Sequence, residues 1–153
     1  MKYFTLSWWE GKVENAMAVN ERYCRYVRSV RKSLPADLWR LFWDVSLHDA
    51  DLRRWRLVDD ILELRLDGER RDKGKYIPGR RRFRLTYQGV RSLTSTANPK
   101  RGLGGPHGYG DLGYDEIEVV GDRLYEHRIL FSSGIELQIR FSGFTLWYAD
   151  DLA

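Results

Sequence analysis

From Val13 to Leu34 one stripe of positions recurs at steps of three and four: Val13, Met17, Asn20, Tyr23-Cys24, Val27, Val30 and Leu34. That spacing predicts an amphipathic helix of roughly five or six turns. Arg22, Arg25, Arg28 and Lys32 fall off the stripe. Leu34-Pro35 ends it, because the residue before a proline avoids the helical region. Pro35 suits the first turn of a second helix over "PADLWRLFW". Leu38, Trp39, Leu41, Phe42 and Trp43 make that helix largely apolar, so burial is expected. The helical part runs over about 13–45, preceded by an aromatic segment at 1–10 that reads as a short strand or a packed arm.

After Asp51 the period becomes two. A two-residue turn at Asp59-Asp60 sets Leu57 against Leu62, Trp55 against Leu64 and Arg56 against Glu63. Phe83, Leu85 and Tyr87 share a face, and Gly89 is expected to mark a bulge before Val90 or Leu93. Ile117 and Val119, then Tyr125, His127, Ile129 and Phe131, then Ile135, Leu137, Ile139 and Phe141 alternate with polar neighbours. A three-residue loop Ser132-Ser133-Gly134 keeps the faces matched, with Ile129 against Leu137 and His127 against Ile139. The same choice at Gly121-Asp122-Arg123 sets Ile117 against His127. On the polar side it leaves Glu118 facing Glu126, with Arg140 in the same row. Two stretches, 68–80 and 94–113, read as long loops. The pattern predicts one α+β domain over 1–153. An N-terminal helix pair packs on an antiparallel, mostly meander sheet of about six strands covering 51–149. The helix-covered face should hold Trp55, Leu57, Leu62, Leu64, Phe83, Leu85, Ile117, Tyr125, Ile129, Leu137 and Ile139.

Composition agrees with a folded chain: 42% apolar and 14% aromatic residues, including six Trp and nine Tyr. The aromatic start (Tyr3, Phe4, Trp8, Trp9) serves either as a binding platform or as packing against the sheet or helices, and packing is the expectation. One cysteine, Cys24, allows no intrachain disulfide. "MKYFTLSWWEG" lacks the apolar core of a leader, and no apolar run reaches membrane-spanning length. A bacterial cytoplasmic protein is expected. Net charge is +4, from 26 basic and 22 acidic residues. Arginines gather at 22–31, 53–56, 70–71 and 80–84. Such runs form either a solvated face or a nucleic-acid footprint; in the second reading Arg80, Arg81, Arg82 and Arg84 are the contact candidates.

His48-Asp49 in "SLHDADLRRW" is the first chemical candidate. Metal-dependent phosphohydrolases of the HD type use His and Asp ligands from several helices to activate water. Here a further ligand would have to be His107 or His127, in a strand-rich region. The simpler reading is a junction, with Asp49 or Asp51 ending the helical half and opening the first strand. His127 falls amid an apolar face and reads as a satisfied core histidine; it needs a polar partner, for which His48 or Asp49 is a candidate. "GYGDLG", Gly108 to Gly113, matches G-x-G-x-x-G in form but precedes a strand rather than a helix. Neither a Walker A sequence, a serine elbow nor a paired-cysteine zinc site is present, and no cofactor is expected.

The N-terminal "MKYFT…W", the "LHDA" segment and "YEHRILFSSGIELQIRFSGF" together resemble a family of small uncharacterised bacterial proteins known as a domain of unknown function. Comparable arrangements occur in some immunity proteins of polymorphic toxin systems. The resemblance implies a cytoplasmic α+β protein that binds another protein, and it transfers no catalytic residue. With no convergent catalytic set, a charged sheet, and Tyr76 and Tyr109 on loops, the expected function is a non-enzymatic protein-binding module of immunity-protein type. Nucleic-acid binding is the second reading, and a metal- or small-ligand-binding enzyme around His48, Asp49 and His127 is the third.

Overall fold

The helical half is shorter than its periodicity predicts. In the computed structural model, which describes residues 1–12, 15–72, 75–97 and 108–151, α1 is a single turn at Leu6–Trp9 and α2 spans Ala16–Ser29. A 3₁₀ turn, Arg31–Ser33, follows, and α3 spans Ala36–Asp44. Asn15 caps α2 by accepting from the Ala18 amide. Val13 lies outside the described residues. The buried stripe of α2 is Val19, Tyr23 and Val27, whereas Met17 is 76% exposed. In α3, Leu38 and Leu41 are buried as expected, but Trp43 is not. It stacks on Trp39 at 5.2 Å, with Arg28 over Trp43 and Arg31 over Trp39. The cations allow these large rings to stay at the surface.

Among the described residues eight strands, rather than about six, form one antiparallel sheet in the order β4-β7-β6-β5-β1-β2-β3-β8. They are β1 Ala50–Val58, β2 Ile61–Asp72, β3 Lys75–Gln88, β4 Ser92–Thr96, β5 Asp111–Gly121, β6 Leu124–Phe131, β7 Glu136–Phe141 and β8 Gly143–Asp151. β1-β2-β3 and β5-β6-β7 are runs of hairpins. β4 pairs with β7, β5 with β1 and β8 with β3, so the whole is not a simple meander. The expected loop at 68–80 is instead the continuation of β2 and β3. Their ladder pairs Gly68 with Arg81 and Arg71 with Tyr76, and residues 73–74 lie outside the described set. Main-chain pairing prevails there over the local turn preference of glycine and proline. Of the expected loop at 94–113, residues 94–96 belong to β4 and 111–113 to β5, while 98–107 lie outside the described residues. Gly89 ends β3 with φ +61 instead of bulging within it.

The turn registers follow the hydrophobic pattern. Leu57 faces Leu62, Trp55 faces Leu64, Ile117 faces His127, and His127 faces Ile139. Gly134 takes φ +82, the left-handed conformation its loop requires. The sheet folds over on itself. Tyr87 of β3 packs against His127 of β6 and against Phe141 of β7. Leu64 of β2 lines an apolar cavity together with Leu93 of β4 and Leu137 of β7. Of the expected inner face, all but Trp55 and Leu57 are buried; these are 51% and 42% exposed. The reason is topological. β1 pairs with β5 only at Ala50 and Asp51, so beyond Asp51 it forms a projecting lip.

Where β5 leaves β1, helix α2 takes the place of a neighbouring strand. The Ile117 and Val119 amides donate to the hydroxyls of Tyr23 and Tyr26, at 2.5 and 2.8 Å. On the far edge, the Leu146 amide of β8 donates to Asp37 of α3 at 3.0 Å. The N-terminal arm packs, as expected, with Phe4 buried and Trp8 against the core. It covers the outer face of β5 and β6, where the Lys2, Tyr3 and Phe4 amides donate to Glu116. Beneath it Arg128 pairs with Glu116, Glu118 and Glu126, and Arg140 with Glu126. Those contacts resolve the clash expected between Glu118 and Glu126.

Candidate functional site

His127 is wholly buried, as its position on the apolar face predicts, but its partners are neither His48 nor Asp49. Nδ1 lies 2.7 Å from the Tyr87 hydroxyl and Nε2 lies 3.0 Å from Asp115 Oδ2. A carboxylate only accepts, so Nε2 carries the proton and Nδ1 accepts from Tyr87. Burial, and then the charge of Asp115, push the Tyr87 hydroxyl well above its ordinary range. Tyr87 is therefore a proton donor within the chain Tyr87–His127–Asp115. It is closed off from solvent, whereas Asp115 retains 24% side-chain exposure.

Asp115 opens onto a cavity of about 230 Å³ between α2, α3, the arm and the start of β5. Phe4, Tyr23, Phe42, Tyr114 and His48 share its walls. The rings form a connected set: Phe4 to Tyr23 at 5.0 Å, Phe4 to Tyr114 at 5.6 Å, Tyr23 to Phe42 at 5.3 Å and His48 to Tyr114 at 5.1 Å. His48 thus shares a cavity wall with Asp115, while His127 holds the same carboxylate from within the core. Asp115 Oδ1 has no hydrogen-bond partner among the described residues. Gly113 allows the Trp9 ring to lie directly on the backbone at this end of β5.

Asp49 belongs to the junction. It takes φ +62, its amide donates to Leu112 O at 2.9 Å, and β1 starts at the next residue. His48 Nδ1 is 2.9 Å from Asp49 Oδ1, an ion-pair distance for a protonated ring, but the two are not aligned as a hydrogen bond. Among the described residues no group of three or more His, Cys, Asp or Glu is placed to hold a metal ion; His107 lies outside them. Asp111, hydrogen-bonded to Asp51 across the β1–β5 contact, is pushed above its ordinary value by that carboxyl and by burial. The "GYGDLG" stretch enters β5 at Asp111, so it lacks the helix that phosphate binding would use.

The arginine run of β3 divides between the two faces of its strand. Arg81 makes a two-pronged contact with Asp150, at 2.5 and 3.2 Å, on one side. Arg80, Arg82 and Arg84 point to the other, where Arg80 reaches Asp51 and Arg84 stacks over Trp147. The register continues this outer face into a row, Arg54 opposite Arg65, Arg65 opposite Arg84, and Arg84 opposite Trp147. Like charges directly opposite each other destabilise a sheet, so the row carries a standing preference for an anionic neighbour. Arg54 and Arg56 have no ion-pair partner among the described residues. Arg56, Leu57, Val58 and Ile61 are all exposed at the tip of the β1–β2 hairpin. On the β5 side, Leu52–Val58 pair with no strand among the described residues. Tyr76 is 62% exposed but lies on β3, and Tyr109 packs on Phe131, so neither is a free loop aromatic.

Asp115 was legible in part. Extending the alternation one step back from Ile117 puts a carboxylate on the apolar face, diagonally beside His127. The approach of Tyr87 depends on the folding over of the sheet, which no local pattern encodes. A comparison with known protein families finds no match, and a search of curated proteins finds none either. No helix among the described residues is long and apolar enough to cross a membrane.

Proposed function

We propose that the chain is a non-enzymatic protein-binding module that receives an extended, acidic segment of its partner along β1, a mode of action suited to the immunity-protein type. The observation that carries this is the two-faced free edge of Leu52–Val58. One face presents Trp55 and Leu57, the other Arg54 and Arg56, and the main chain between them has half of its polar groups turned outward. A strand with apolar residues on one side and carboxylates on the other matches both faces. A second copy of β1 does not, because antiparallel pairing about Trp55 sets Arg54 against Arg56. The aliphatic tip of Leu57, Val58 and Ile61, with Asp59 and Asp60 in its turn, favours a protein over a phosphate backbone.

Affinity capture from a bacterial host with the wild-type chain and with a Trp55→Asp/Arg56→Glu variant tests this. The expected result is a protein held by the wild type alone, with the Leu52–Val58 amides protected from hydrogen exchange in the complex. Capture of the same proteins by both forms refutes it. Recovery of nuclease-sensitive material, with affinity falling steeply in salt, replaces it with nucleic-acid binding.

A further inference from the structure

We propose that the cavity in front of Asp115 is a binding site for a small organic ammonium ion, either free or borne on a methylated lysine side chain. This inference is independent of the β1 edge. Three features of the site point to a cation of that kind. Phe4, Tyr23, Phe42 and Tyr114 line it, beside aliphatic residues, Asn20, Ser46 and His48, and aromatic rings attract a desolvated cation. Among the described residues neither lysine nor arginine lines the cavity, although 26 such residues occur in the chain. Among the described residues the one carboxylate that lines it is Asp115, which uses Oδ2 on His127 and has no partner there for Oδ1.

The buried chain behind the carboxylate fixes it in place. Tyr87 donates to His127 and His127 donates to Asp115, so the carboxylate cannot rotate away without leaving a buried nitrogen unsatisfied. This is the arrangement expected of a preorganised counter-charge, held by groups that do not themselves contact the ligand. The Tyr23 hydroxyl is likewise fixed, accepting from the Ile117 amide. A volume of about 230 Å³ suits a trimethylammonium or short alkylammonium group. A compact inorganic cation would gain little from aromatic walls relative to its hydration shell.

The test is calorimetric titration of the full chain with choline and, separately, with its neutral isostere 3,3-dimethylbutan-1-ol. A short peptide carrying trimethyllysine, with its unmethylated and norleucine counterparts, forms the second arm. Choline or the trimethyllysine peptide should bind at least about tenfold more tightly than the corresponding neutral compound. Whichever of the two binds more tightly identifies the source. Asp115→Asn, in which the amide oxygen still accepts from His127, and Tyr114→Leu, which removes an aromatic wall, should each weaken binding at least about fivefold. Thr94→Ala, at an exposed position on β4, should leave it unchanged. Equal binding of charged and neutral compounds, no binding of either cation at high millimolar concentration, or undiminished binding by a folded Asp115→Asn variant would each overturn the proposal.

Discussion

Tyr87→Phe removes one oxygen atom from the centre of the fold. Tyr87 and His127 are both 0% exposed, so no solvent water takes the place of the hydroxyl on His127 Nδ1. The loss comprises a hydrogen bond worth about 1 kcal/mol net and the cost of an orphaned buried acceptor, for a total of about 1–3 kcal/mol. For a chain of this length that corresponds to a fall in melting temperature of about 2–12 °C. His127→Leu leaves the Tyr87 hydroxyl orphaned instead, while Asp115 turns to solvent. The double variant Tyr87→Phe/His127→Leu buries neither orphan and should be more stable than the sum of the single losses implies, with a coupling of about 1–3 kcal/mol. Urea denaturation of the four forms measures the cycle. Nitrogen shifts of the His127 ring should report a proton on Nε2. A Tyr87→Phe variant within about 0.5 kcal/mol of wild type, or single effects that simply add, would refute the assignment of the chain as a buried, mutually satisfied unit.

Four further outcomes are expected. Burial pushes Glu126 up, but hydrogen bonds from Arg140 and Gln138 and the charge of Arg128 outweigh it and hold the carboxyl below its ordinary value of 4.5. Its contribution is therefore complete above that pH and disappears as pH falls through the lower folded value; Glu126→Gln should cost about 1.5–3 kcal/mol at neutral pH and converge with wild type in acid, as followed by denaturation across pH. Leu38→Ala, at a 0% exposed position in α3, should cost about 2–5 kcal/mol if the helices and the folded sheet share one core, measured as a shift in urea midpoint. Trp55→Asp and Leu57→Asp should each cost about 1–3 kcal/mol, less than a core truncation because about half of each side chain is in solvent, and should abolish partner capture by the folded variant. Gly113→Ala places a methyl group against the Trp9 ring and should displace the arm, with altered tryptophan fluorescence and a loss of about 1–3 kcal/mol.

How far the sequence carries depends on whether a feature is local. The hairpin registers were legible because a slip of one residue would turn Ile129, Leu137 and Ile139 to solvent, and the loop glycines admit few alternatives. The class, a helix pair followed by an antiparallel sheet, followed from the change of period at Asp51. The extension of β2 over 68–72 and of β3 over 75–80 is hidden, because its strand character comes from the pairing of the two strands rather than from alternation. Trp55 and Leu57 have the right parity for the core, yet lie beyond the point where β5 turns away, and pairing order is not written in either strand. At the site, His127 was identifiable as a buried polar residue from its neighbours. Its partners were not, since Tyr87 reaches it across the fold from a strand 40 residues away.

The substitution of helices for strands along β5 and β8 bears on which strand edges are open to other molecules. An uncovered strand edge is a template for intermolecular pairing and hence for aggregation. Here the amides of Ile117, Val119 and Leu146 are insulated by Tyr23, Tyr26 and Asp37, residues that emerge from the ribosome long before the strands they cover. The guard is synthesised ahead of what it protects, and the sheet need not wait, half assembled, for a cover made later. Damage to the helix pair should therefore appear first as insolubility of the whole chain, before any loss of order in the strands themselves.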